Sequence, residues 1–242
     1  MISTELKTAV TNYTMPKSAQ DTVRSSGFVV MVGITAAGKN TLITELINTG
    51  NYMSVVSHTT RQPRANNGVM EQDGREYWFV KEAEMVNKLD RGEMLEAKVI
   101  HNRQVSGVSV DELERAIRSN KKPINEIDVQ GVEAIRAFYP ELLCFFVLPP
   151  DFDTWQQRMQ RRGDLSEDET MDRLQTAVEE IEHVLTSGGY IFVVNDDLAD
   201  TARYVDDIIT GKLDPDERKE RSQKKAERLL NDLKAHLNNR TA

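Results

Sequence analysis

Residues 28–47 run from an unbroken apolar stretch, Phe28-Val29-Val30-Met31-Val32, through Gly33-Ile34-Thr35-Ala36-Ala37-Gly38-Lys39-Asn40 into Thr41-Leu42-Ile43-Thr44-Glu45-Leu46-Ile47. The apolar stretch reads as a strand buried on both faces of a parallel sheet. Leu42 and Leu46 have helical spacing, and Asn48-Thr49-Gly50-Asn51 stops that helix. Strand, glycine turn and helix in this order restrict the chain to α/β folds in which a helix N-terminus faces an anion. The turn matches the phosphate-loop pattern G-x-x-x-x-G-K-[ST] at every position but the last. Its glycines let backbone N–H groups wrap a polyphosphate, and its lysine neutralises the outer charge. Gly33, Ala36, Ala37, Gly38, Lys39, Asn40 and Thr41 are therefore expected around a nucleotide polyphosphate. Asn40 puts an amide where a hydroxyl usually holds Mg²⁺, so it is the expected, unorthodox metal contact.

The pattern continues along the chain. Strands are expected at 28–32, 53–57, 77–80, 124–128, 143–148 and 190–194. Helices are expected at 39–47, 82–90, 109–119, 131–137, 151–161, 166–187 and 198–209. Alternating strands and helices argue for a parallel core sheet covered by helices. Residues 1–26 are polar without a clear apolar period and read as a loosely ordered extension. Residues 211–242 change character: Pro215 can start a helix, and Ala226, Leu229, Leu230, Leu233 and Leu237 form one stripe on it. That stripe suits either packing on its own domain or a homodimer contact.

Composition narrows the function. A net charge of −8 argues against a general nucleic-acid binder, so any anion site must be a local cluster of Arg and Lys. The single cysteine, Cys144, lies in an apolar run and reads as core, which excludes a disulfide framework or cysteine zinc site. No apolar stretch approaches the roughly 20 residues of a membrane span, and no signal-peptide core is present. A cytoplasmic location is the default expectation.

A second cluster carries more information. Ser57-His58-Thr59-Thr60-Arg61-Gln62-Pro63-Arg64 sets two arginines three apart around a proline, a bidentate clamp for phosphate. Gly74-Arg75-Glu76-Tyr77-Trp78-Phe79 and Gly92-Glu93-Met94-Leu95-Glu96 follow. Next come Glu126-Ile127-Asp128-Val129-Gln130-Gly131, Pro149-Pro150, Arg158, Arg162-Gly163, Arg173-Leu174 and Asn195-Asp196-Asp197-Leu198. In this order the fragments resemble guanylate kinase, over about residues 27–209.

The resemblance implies a three-layer P-loop NTPase fold: a parallel core sheet, a monophosphate-binding lobe at about 58–123 and a mobile lid at about 158–173, within a domain spanning 27–210. It implies transfer of the ATP γ-phosphate to GMP, and to dGMP as well, with Mg²⁺ as cofactor. By resemblance, Arg61, Arg64 and Tyr77 hold the monophosphate, and Ser57 and Glu96 read guanine. Asp128 stands beside the base and phosphates. Lys39, Arg61, Arg158, Arg162 and Arg173 supply the catalytic charge. A carboxylate suits guanine, because it accepts from N1–H and the exocyclic amine together, a donor pair that adenine lacks.

Plainer roles exist for several of these residues. Arg158, Arg161 and Arg162 fit a solvated helix face, Glu96 fits the end of a surface strand, and Asp128 fits a helix cap. The chain also departs from the family in three ways. Asn40 replaces the hydroxyl. No tyrosine lies between Glu96 and Asp128, where the family places one on the monophosphate; Arg103 or Gln104 is the nearest substitute. The link from Ala65 to Glu76 is long, and Asn66-Asn67-Gly68 marks a turn that extends a hairpin there. Two other functions stay open: a binding module without catalysis, and a kinase for another phosphorylated acceptor.

Overall fold

The computed structural model describes residues 2–66, 69–100, 102–161 and 166–241. In chain order, its helices are Thr4–Asn12 (α1), Lys17–Ser26 (α2), Lys39–Asn48 (α3), Glu82–Asp90 (α4), Val110–Arg118 (α5), Val129–Arg136 (α6), Phe152–Gln160 (α7), Glu167–Ser187 (α8), Leu198–Ile209 (α9) and Lys219–Thr241 (α10). The strands are Val29–Gly33 (β1), Tyr52–Ser54 (β2), His58–Thr59 (β3), Ala65–Asn66 (β4), Val69–Met70 (β5), Trp78–Phe79 (β6), Met94–Ile100 (β7), Gln104–Ser109 (β8), Lys122–Glu126 (β9), Leu143–Leu148 (β10) and Ile191–Val194 (β11). The chain divides into two units, one of residues 1–28, 51–125 and 137–140, the other of residues 29–50, 126–136 and 141–242.

The second unit is built on parallel strands. Val29–Gly33 pairs in register with Leu143–Val147, and Phe145–Leu148 pairs with Ile191–Val194. Every residue of β1 is buried, as are five of the six in β10. This is why both read as unbroken apolar runs: helices cover a parallel sheet, so neither face needs polar residues. Each fully buried aliphatic or aromatic side chain here contributes roughly 1.5–3 kcal/mol. Cys144 is buried as expected, and burial pushes its thiol up to about 12. The C-terminal stripe is used within this unit: Ala226, Leu229 and Leu233 are buried, and α10 packs on α8, β11 and α7. Three of the five stripe residues are thus covered by the chain's own helices, the first of the two uses expected for the stripe.

The first unit holds a mixed sheet in the order β6-β3-β8-β7 and a parallel pair, β2 with β9. The buried carboxylate of Glu112 ties it together, accepting from Val56 N at 2.8 Å, Trp78 Nε1 at 3.0 Å and Arg115 Nη2 at 2.8 Å. Burial raises the Glu112 carboxyl, but these donors outweigh it and hold the group below its ordinary range. The long link forms the expected hairpin, with β4 antiparallel to β5; its turn at Asn67 and Gly68 lies outside the described residues.

Two expectations need correction. Residues 1–26 are not a loose extension: they form α1 and α2, and Ile2, Leu6, Ala19 and Val23 are buried. Their few apolar residues are spread too thinly for a clear period, yet four of them are buried and Ala9, Val10 and Tyr13 pack partly buried against the cluster that holds Ile2 and Leu6. The hairpin of β7 and β8 is also absent from the expected strands, because charged and small residues interrupt its alternation.

Candidate active site

The phosphate loop lies in the second unit. Residue 33, the last of β1, is a glycine because β10 passes close: a Cβ there would sit 2.3 Å from the Val147 carbonyl oxygen. Gly38 has φ +92°, and a Cβ on it would meet Asn195 Nδ2 at 2.3 Å. Both loop glycines are thus required by backbone geometry and close packing. Ala36 takes φ +63°, a left-handed conformation that costs an alanine roughly 1–2 kcal/mol. The loop is held from outside. Trp155 Nε1 donates to Thr35 O at 2.9 Å, and Asn195 Nδ2 donates to Ala37 O at 3.0 Å. Arg158 donates to Ala37 O at 3.3 Å and to Asn195 O at 2.9 Å. Occupying these carbonyls fixes the loop shape.

Lys39 begins α3, and its ammonium donates to the Gly33 carbonyl and, at 3.1 Å, to Ile34 O. Glu126 Oε1 lies 3.2 Å from the same nitrogen. Beside the loop is a cavity of about 320 Å³ lined by Ala36, Gly38, Thr41, Arg158, Asn195 and Asp196, with Leu198. Asn40 is exposed in the first turn of α3. Asp128 accepts from Gly131 N at 2.7 Å, so it does cap the start of α6. Arg173 is half-buried on α8, whose start is fixed by a reciprocal cap between Ser166 and Glu169. Arg162 lies outside the described residues.

Glu180 adds a titratable group near Lys39 that no sequence motif marks. Burial pushes its carboxyl up to about 7; Lys39 opposes the rise, while Asp128 and Glu126 add to it. Its signal was present, since Glu180 falls on the stripe of Ala177 and Val184, where α8 is otherwise apolar.

The arginine pair lies in the first unit. Arg61 is gripped by Glu71, with Nη1 at 2.5 Å from Oε2 and Nη2 at 2.8 Å from Oε1. The Arg61 guanidinium stacks over Tyr77, 4.8 Å from the ring centroid, and lies 5.6 Å from that of Phe79. Glu71 also accepts from the Arg64 backbone N at 2.9 Å. The Arg61 hydrogen bonds hold the Glu71 carboxyl down at about 2, and both side chains of the pair are largely covered, 12% and 14% exposed. Arg64 reaches Gln104 Oε1 at 3.5 Å, placing Gln104, rather than Arg103, beside the arginine pair. Ser57 precedes β3, Glu96 stands on β7, and β8 pairs with both strands. Arg61 and Tyr77 are thus in contact, and the Arg64 backbone is tied to them through Glu71. Glu71 is the addition, and its place in a link of unusual length concealed it.

The family model for guanylate kinase matches residues 25–212. The chain belongs to the guanylate kinase family. It is 34% identical over 185 residues to the guanylate kinase of Corynebacterium glutamicum, covering 76% of this chain and 94% of that one. It is 35% identical over 174 residues to the guanylate kinase of Nitrosomonas europaea, covering 72% and 83%. The crystal structure of guanylate kinase from Anaplasma phagocytophilum superposes with a TM-score of 0.53 at 25% identity, over 76% of this chain and 85% of that one. The guanylate kinase region thus starts inside α2 and ends shortly after α9, with α1 before it and α10 beyond it. Among the described residues no helix is long and apolar enough to cross a membrane.

Proposed function

We propose that this protein transfers the γ-phosphate of ATP to GMP, and to dGMP, giving ADP and GDP. The observation that carries the reading is the arginine clamp: Arg61, oriented by Glu71 and Tyr77 and backed by Arg64, in a guanylate kinase chain whose phosphate loop keeps both glycines and Lys39. Phosphoryl transfer demands positioning and charge stabilisation more than covalent chemistry. The acceptor is already a phosphate oxygen, so no general base is needed.

Each residue has a definable part. The loop N–H groups and Lys39 hold the β- and γ-phosphates, with Ala36, Ala37, Gly38 and Thr41 forming the wall. Lys39 exchanges its loop carbonyls for phosphate oxygens. Arg158 and Arg173, on the two helices flanking a lid at about 158–173, offset charge that builds on the transferred group, and Arg162 joins them. Closure of the lid keeps water from the γ-phosphate. Arg61, Arg64 and Tyr77 hold the GMP phosphate, while Ser57 and Glu96 read the base. Asp128, which caps α6 and bears on Glu180, stands beside the base and phosphates of GMP.

Among the described residues no group of three or more His, Cys, Asp or Glu side chains could hold a metal ion. The Asn40 amide oxygen and the Thr41 hydroxyl, at the start of α3, would hold Mg²⁺ together with phosphate oxygens and water. When bound, Mg²⁺ neutralises charge on the β- and γ-phosphates.

A scaffold-type binding module is disfavoured by the intact loop lysine and glycines. Steady-state ADP release with ATP, Mg²⁺ and a panel of monophosphates tests the reading. Turnover with GMP and dGMP is expected; a preference for AMP or a pyrimidine monophosphate contradicts the assignment of Ser57 and Glu96.

A further inference from the structure

The segment before residue 25, where the family region begins, is built into the first unit. Ile2 and Leu6 are buried in one cluster with Met85, Val86, Leu89, Met94 and Val105. Ser3 caps α1 by accepting from Leu6 N, and its own N–H donates to Glu82 at the start of α4. Pro16 fills the space over Gly92: a Cβ on that glycine would meet Pro16 Cγ at 2.6 Å. The Tyr13 hydroxyl donates to the Met94 carbonyl.

That last contact falls where β7 changes register. Met94 pairs with Ser109, but Glu96 pairs with Val108, so Leu95 is an extra residue between them. A bulge of this kind leaves ladder groups unpaired and re-aims the side chains beside it. β8 presses on the same place, since a Cβ on Gly107 would lie 2.2 Å from the Glu96 carbonyl oxygen and 3.0 Å from Met94 Cε. β7 is the last strand of its sheet, and the Met94 carbonyl, which faces the open edge beside the bulge, finds its donor in Tyr13.

We propose that α1 and the turn after it brace the bulge in β7, and that Tyr13 is a positioning residue that sets the aim of Glu96 at the guanine base. The proposal rests on the reading of Glu96 given above. It makes the N-terminal segment part of acceptor recognition, with no contact of its own to the nucleotide. Removing the brace loosens Glu96 and leaves the phosphate loop untouched, so GMP and ATP respond differently.

Tyr13→Phe tests this in the full chain, because it keeps the ring and removes only the hydroxyl. The KM for GMP is expected to rise about fivefold, the net worth of one hydrogen bond, with kcat and the KM for ATP changed by less than about twofold. In a Glu96→Gln background the same change should have little further effect, since two residues acting through one interaction are not additive. An unchanged KM for GMP overturns the proposal, even if the melting temperature falls, because the contact is then merely structural. An equal rise in both KM values also overturns it. Glu96→Gln alone separates the layers. If it leaves the KM for GMP unchanged, the base-reading role fails and the brace with it. If it raises that KM while Tyr13→Phe does not, only the brace fails.

Discussion

Glu71 decides how Arg61 can act. An arginine with a free guanidinium samples many rotamers, whereas here a bidentate carboxylate and the Tyr77 ring fix the plane of the group. A fixed guanidinium loses less entropy when a phosphate arrives. Glu71→Gln keeps the shape but weakens the grip, and is expected to raise the KM for GMP at least about fivefold while leaving the KM for ATP near its original value. Equal changes in both constants would contradict the positioning role. Glu180 makes a pH prediction. Its folded pKa is raised to about 7, so it is protonated below neutrality and ionises as pH rises. Ionisation adds a negative charge near Lys39 and opposes the ATP phosphates. The KM for ATP should therefore climb between about pH 6 and pH 8, and Glu180→Gln should flatten that climb. Asn40→Ser should restore a hydroxyl, lowering the Mg²⁺ concentration needed for half-maximal rate without altering the preference for GMP. A shift in base preference would show that loop and base site are not independent.

At the scale of elements, the sequence was most legible where one rule governs a whole segment. β1 and β10 are buried on both sides, so their apolar runs announced them, and α8 and α9 carried clear helical stripes. The β7–β8 hairpin is not legible in the sequence because its strands hold Glu96, Lys98, Gly107 and a bulge, which break alternation; what forms the hairpin is cross-strand pairing, a property no local window contains. α1 and α2 are hidden for a related reason. Few of their residues are apolar, and those few pack on α4, α5 and β7, which are remote in sequence. α10 was seen as a helix, but its partner was not, since a stripe states what must be covered and not by what. With Leu233 fully buried, Leu233→Asp should destabilise the fold by at least about 3 kcal/mol, through lost burial and an unpaired buried charge. A lowered melting temperature with an unchanged solution mass of the folded fraction would agree. A dimer that dissociates into stable monomers would contradict the packing of α10 on its own unit.

Across the whole molecule, the residues proposed for phosphate transfer fall in two units. One carries the phosphate loop, Lys39, Arg158, Arg173 and Glu180; the other carries Arg61, Arg64, Tyr77, Glu71 and Glu96. The motif residues of both units were readable because phosphate recognition imposes strict local patterns, glycines beside a lysine and arginines around a proline. Glu71, Glu180 and Tyr13 were not, because each acts through a neighbour supplied by folding. The central claim is that phosphate passes from ATP to GMP, and a single-turnover reaction with ATP labelled in its γ-phosphate follows that atom directly. The label is expected to appear as the β-phosphate of GDP, in step with ADP, and not to reach AMP when AMP replaces GMP. Label released as inorganic phosphate, label transferred to AMP in preference to GMP, or no transfer by folded protein would contradict the account.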